Sequence, residues 1–142
     1  MLRSERGAQL VEFALVLPLL LLVVLAIAEF GFIFQRYEVV TNAAREGARI
    51  AVLPGYTTAD VQDRVNNYLD AGRVPAAGRT PAAVANVPLL LPGGTTVPTR
   101  QVTVTYTYTY TFMKGIAALF GSSYTTQQLT AVSQMRVEVP GM

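Results

Sequence analysis

Apolar positions crowd one stretch of the chain. From Phe13 to Phe34 there are 22 residues with a single charge, Glu29, and 16 of them are Leu, Ile, Val or Phe. An α-helix needs roughly 20 such residues to cross the hydrocarbon core of a bilayer. On an insertion scale the 16 apolar side chains contribute about −5 to −10 kcal/mol, whereas one acid at mid-helix costs about 3 kcal/mol and less toward an end. The pattern therefore predicts a transmembrane segment over about 13–34. Glu29 admits two placements, snorkelling to the outer interface or facing a neighbouring helix in an assembly.

The helical pattern outlasts the apolar run. It continues through Gln35-Arg36-Tyr37-Glu38 and Ala43-Ala44-Arg45-Glu46-Gly47-Ala48-Arg49 until Pro54-Gly55 ends it. One helix over 8–53 is expected, about 69 Å long at 1.5 Å per residue, with its second half outside the bilayer. There Ala43, Gly47 and Ala51 recur every four residues, a stripe that lets another backbone approach closely. The approaching backbone is either the chain's own hairpin or a neighbouring subunit. Arg45, Glu46 and Arg49 read as the solvated face of the same helix.

A small extracytoplasmic domain is expected over 54–142. Thr57-Thr58-Ala59-Asp60 has the form of a capping box, Val61, Val65 and Leu69 fall on one helical face, and Gly72 supplies a stop, so a short helix is predicted over 58–70. The segment from Ala71 to Thr99 is rich in Pro, Gly, Ala and Thr and reads as loop, with an edge strand over 84–91 because Pro88 excludes a central one. The strand signal is strongest from Arg100 to Phe112. Val102, Val104, Tyr106, Tyr108, Tyr110 and Phe112 share one face and five Thr share the other, which predicts that the aromatic face packs in a core rather than serving as a stacking platform. A second strand over 128–139 repeats the alternation through Leu129, Ala131, Met135 and Val137. Between them Ile116, Leu119 and Phe120 suggest a short helical turn capping the hairpin. The fold class is α+β: a long N-terminal helix, a short second helix and a small antiparallel sheet dominated by one hairpin.

Composition narrows the chemistry. The chain is 51% apolar and only 14% charged, against roughly 25% charged in ordinary soluble domains. Its net charge of +2 comes from scattered Arg and leaves no footprint for nucleic acid. With no Cys and no His, disulfides, thiolate chemistry and His-based metal or catalytic sites are excluded. No Gly-rich phosphate loop succeeds a strand, and the carboxylates of Asp60 and Asp63 lie on a short amphipathic helix where solvation accounts for them. No enzyme, cofactor or metal is expected.

The N-terminal residues carry the remaining information. Arg3 and Arg6 precede the apolar run, and Ala26-Ile27-Ala28 has the small-x-small form of a signal-peptide cleavage site. Cleavage there would leave Phe30, Phe32, Ile33 and Phe34 exposed at the new terminus, with no polar region before the cut. A different cut fits better. If a peptidase cuts after Gly7, the new amino group of Ala8 and the carboxylate of Glu12 stand at i and i+4 on a helix, about 5–6 Å apart at their side-chain roots, where they can pair within or between subunits. An acid in the first turn also suits the helix dipole.

Gly7-Ala8-x-x-Val11-Glu12-Phe13-Ala14-Leu15-Val16-Leu17-Pro18-x-Leu20-Leu21, followed by Ala43-Ala44-Arg45-Glu46-Gly47-Ala48-Arg49, closely resembles the TadE-like family of minor pseudopilins of the tight-adherence (Tad, or Flp) pilus, a type IV pilus system. The C-terminal half agrees more loosely, through Val104-Thr105-Tyr106-Thr107-Tyr108 and Met135-Arg136-Val137-Glu138. The resemblance implies a prepilin leader over 1–7 cut between Gly7 and Ala8 by a membrane aspartic peptidase, with Glu12 and Phe13 acting in assembly. It also implies a bacterial inner-membrane protein with a cytoplasmic N-terminus, with possible incorporation into an extracellular pilus. Its expected partners are other pilin or pseudopilin subunits, the prepilin peptidase, the pilus assembly platform and the lipid bilayer. The alternative is a signal-anchored extracytoplasmic interaction module of the cell envelope.

Overall fold

The computed structural model describes residues 2–119, 121 and 125–137, with backbone alone at 2–6 and 119. The element order is α1 (Leu2–Ala51), α2 (Thr58–Ala71), β1 (Arg79–Asn86), β2 (Leu89–Leu90), β3 (Thr96–Val97), β4 (Thr99–Thr109), α3 (Met113–Leu119) and β5 (Thr126–Arg136). The architecture is the expected α+β arrangement of a long apolar helix, a short second helix and a small antiparallel sheet. Phe120 and residues 138–139 of the expected second strand lie outside the described residues.

The chain divides into two compact units: residues 1–33 with 109–125, and residues 34–108 with 126–142. Helix α1 contributes to both. In the first unit its side chains are almost all exposed from Gly7 onward, and its most apolar window, with a mean hydropathy of 2.9, is long and apolar enough to cross a membrane.

The second unit is built on α1 from residue 34 onward, on α2 and on a three-stranded sheet of order β1-β4-β5. Its core is formed by Val40, Ala43, Ala44 and Ala48 of α1, Val61, Val65 and Leu69 of α2, Val102, Val104, Tyr106 and Tyr108 of β4, and Leu129 and Ala131 of β5. These are the faces that the two periodicities select. Helix α2 starts as its sequence specifies: the Asp60 backbone N–H donates to Thr57 Oγ1 at 3.3 Å while the Thr57 N–H donates to Asp60 Oδ2 at 2.7 Å, the reciprocal pair of a capping box. It stops where expected, with Gly72 as its C-cap, though not through a left-handed glycine. Gly72 has φ −78°, and the left-handed residue is Arg73, at φ 55°. Gly72 serves close packing instead, since a Cβ there would meet Val39 Cγ1 at 2.3 Å.

Several strand boundaries differ from expectation; β5, for one, runs Thr126–Arg136 rather than 128–139. β1 begins at Arg79, ahead of the expected 84, and takes in Pro81. It is an edge strand paired antiparallel to β4, and the register shifts between Thr80 and Ala83. A bulge at Pro81 accommodates the missing donor. β4 ends at Thr109 rather than Phe112, because the backbone N–H groups of residues 111–113 turn away from the ladder to the Glu29 carboxylate of α1. Leu89 and Leu90 form a separate two-stranded ribbon with Thr96 and Val97.

Candidate functional site

The residues singled out by sequence fall in three places. Gly7, Ala8, Glu12 and Phe13 lie on α1 within a continuous helix, all exposed. Nothing stands within 4 Å of a Cβ built on Gly7, so the segment is open to another molecule. Ala43, Gly47 and Ala51 lie on the same helix in the second unit and are buried there. A Cβ on Gly47 would meet Val65 Cγ2 at 2.7 Å and Val102 Cγ1 at 3.2 Å. The stripe thus receives α2 and β4 of its own chain.

Arg45, Glu46 and Arg49 do not act alike. Arg45 is exposed. Glu46 accepts from Arg49 at 2.7 Å and from Arg64 of α2 at 2.6 Å, which ties the two helices. The hydrogen bond from Arg49, followed by that from Arg64, holds the Glu46 carboxyl down at about 2. A second tie comes from Arg36, whose guanidinium donates to the carbonyls of Gly72 and Arg73 at 3.2 and 2.7 Å. A cation there suits the negative end of α2.

Glu29 was the least determined residue in the sequence, and it forms the most developed polar arrangement of the first unit. It is 2% exposed. Its Oε1 accepts from the Thr111 N–H at 2.9 Å, and its Oε2 accepts from the Phe112 and Met113 N–H groups at 2.6 and 3.2 Å. Glu29 neither snorkels to water nor waits for another helix, because the start of α3 is its partner. Phe112 stacks at a tilt on Phe32, with ring centroids 6.2 Å apart. Phe112, expected on the buried face of the strand, is therefore 36% exposed at the hairpin tip, whereas Tyr106 and Tyr108 are 4% and 5% exposed in the core. No local pattern reports this pairing, since 82 to 84 positions separate its partners. The available signal was a lone acid in an apolar run together with a strand whose alternation continued past its last paired residue.

The remaining polar groups are committed to structure. The Asp60 carboxylate accepts from the Thr57 hydroxyl and backbone N–H, which lower its pKa, and Asp63 is exposed on α2. Arg79 pairs with Asp70 at 2.7 Å. Among the described residues no group of three or more acidic, His or Cys residues is placed to hold a metal. A cavity of about 270 Å³ lies between the β2–β3 ribbon and the end of β5, lined mainly by Leu89, Leu91, Val97 and Met135. It sets no nucleophile beside a base.

These features define an α+β protein carrying one helix long and apolar enough to cross a membrane. A family resemblance is confined to that helix. Residues 7–49 match the family model described as TadE-like protein, so the resemblance to the TadE-like proteins of the Tad pilus system holds over the segment from Gly7 through Arg49. The match ends before α2 and the sheet. No curated protein and no solved structure matches the chain.

Proposed function

We propose that the chain is a pilin-like minor subunit that assembles into or primes a Tad-type pilus. In this reading residues 1–7 are a leader removed between Gly7 and Ala8 by a prepilin peptidase, residues 8–53 are the assembly helix and residues 54–142 the extracytoplasmic domain. The chain sits in the bacterial inner membrane with its N-terminus in the cytoplasm. The observation that carries the reading is the family match over 7–49, which includes Gly7 and Glu12, both of them on the exposed start of an apolar helix.

After the cut, the Ala8 ammonium and the Glu12 carboxylate are close enough to pair within one chain or between neighbours. Pairing offsets the cost of holding a carboxylate at the edge of hydrocarbon. Phe13 and the apolar residues beyond it supply the helix surface along which subunits pack. The role is structural, with other pilin-like subunits and the assembly platform as partners.

Replacing Glu12 by Ala removes the pairing and leaves the second unit untouched. Piliation should then be lost while the variant chain accumulates in the membrane with its domain resistant to protease. Unchanged piliation counts against the assembly role and favours a membrane-anchored envelope protein whose outer domain binds another protein.

A further inference from the structure

Glu29 stands five residues before the apolar run ends at Phe34, about 7.5 Å along the helix at 1.5 Å per residue. Three hydrogen bonds fix residues 111–113 to its carboxylate, so the hairpin tip begins at the level of Glu29, inside the apolar run. Leu25, Ala28 and Ile33 are half-buried in a stretch of α1 that is otherwise exposed, and they flank Glu29 at helical spacing. The segment beyond residue 112 is itself apolar. Met113, Ile116, Ala117 and Ala118 of α3 surround a single charge, Lys114.

We propose that the hairpin tip is a second membrane-contacting element, with Phe112 and α3 seated in the outer-leaflet interface against α1. This rests on the reading that α1 spans the bilayer. Backbone that leaves a strand at the depth of hydrocarbon exposes N–H groups that lipid cannot satisfy, and it is tolerated only where protein supplies the acceptors. Glu29 supplies them for three consecutive residues. A carboxylate at that depth needs donors in turn, so each group removes the other's penalty. Lys114 can extend its ammonium to the headgroups while its stem stays apolar. The occupant is lipid, because Phe112, exposed at the tip, lies against Phe32 of the spanning run, which is itself exposed.

The chain has no Cys, so single-Cys variants report position cleanly. The full chain carrying Leu20→Cys, Ala118→Cys or Asn66→Cys is labelled with a nitroxide, reconstituted in phosphatidylcholine–phosphatidylglycerol vesicles, and read by spin-label collision with oxygen and with a water-soluble nickel complex. The expected result is oxygen-dominated collision at 20 and 118 and nickel-dominated collision at 66. Nickel-dominated collision at 118 with oxygen-dominated collision at 20 overturns the inference and leaves the spanning reading in place. Nickel-dominated collision at 20 removes the spanning reading and the inference with it. A label at 118 shielded from both reagents means that a second copy covers the tip, which also overturns it. Adding Glu29→Leu should make position 118 nickel-accessible while position 20 is unchanged, and Glu29→Gln, which keeps an acceptor, should do so less. An unchanged label at 118 in Glu29→Leu contradicts the role given to Glu29.

Discussion

Gly72 and Glu46 show how single positions fix the second unit. Val39 is β-branched and stiff at χ1, so the Cβ of Gly72→Ala has nowhere to go without moving α1 or the end of α2. Overpacking of this kind costs about 1–3 kcal/mol. Unfolding of the detergent-solubilised variant, followed by near-ultraviolet circular dichroism of the buried Tyr106 and Tyr108, should show that loss; stability equal to the parent contradicts the close approach. Gly47→Ala is a closer contest. Helix propensity favours Ala by about 1 kcal/mol, but the Cβ would stand 2.7 Å from the stiff Val65 and 3.2 Å from Val102, and the packing loss is of equal or larger size.

Glu46 carries a pH dependence. Its carboxyl is near 2 in the folded chain and near 4.3 when unfolded. A depressed carboxyl stabilises the fold fully above the unfolded value, and that stability is lost as pH falls toward the folded one. Its Arg partners are about half exposed, so screening limits the contribution to about 1 kcal/mol or less. Glu46→Gln should therefore be less stable than the parent at pH 7, with the difference closing between about pH 4.5 and pH 2. A gap independent of pH contradicts the ion-pair account.

At the scale of elements, the signals confined to one turn or one strand were legible. The capping box at Thr57 and Asp60 set the start of α2, and Thr57→Ala should cost about 1 kcal/mol in the same unfolding measurement. Strict alternation through Val102, Val104, Tyr106 and Tyr108 identified the buried face of β4. The misses have physical causes. Pro81 read as a loop residue because its bulge on an edge strand depends on pairing with β4. Phe112 kept the period of a strand although the backbone from Thr111 onward had left the ladder for Glu29. Gly72 was legible as the stop of α2, but the reason a glycine stands there is Val39, 33 residues earlier in the chain. Each miss depends on a partner distant in sequence, and periodicity carries no information about such partners.

For the whole molecule, the two units divide the work. The first holds the apolar helix with the hairpin tip tied to it through Glu29; the second packs α1, α2 and the sheet around the stripe of Ala43, Gly47 and Ala51. The candidate assembly residues Gly7, Ala8, Glu12 and Phe13 belong to the first. The role proposed for them rests only on the resemblance and on the i to i+4 spacing, because these exposed side chains lie on an open helix start. In the proposed reading this helix is an assembly handle released by a cut after Gly7. Mass spectrometry of the N-terminus of the mature protein, purified from membranes that contain the prepilin peptidase, tests it most directly. A terminus at Ala8 is the predicted result, whereas an intact Met1 or a terminus at Glu29 contradicts it.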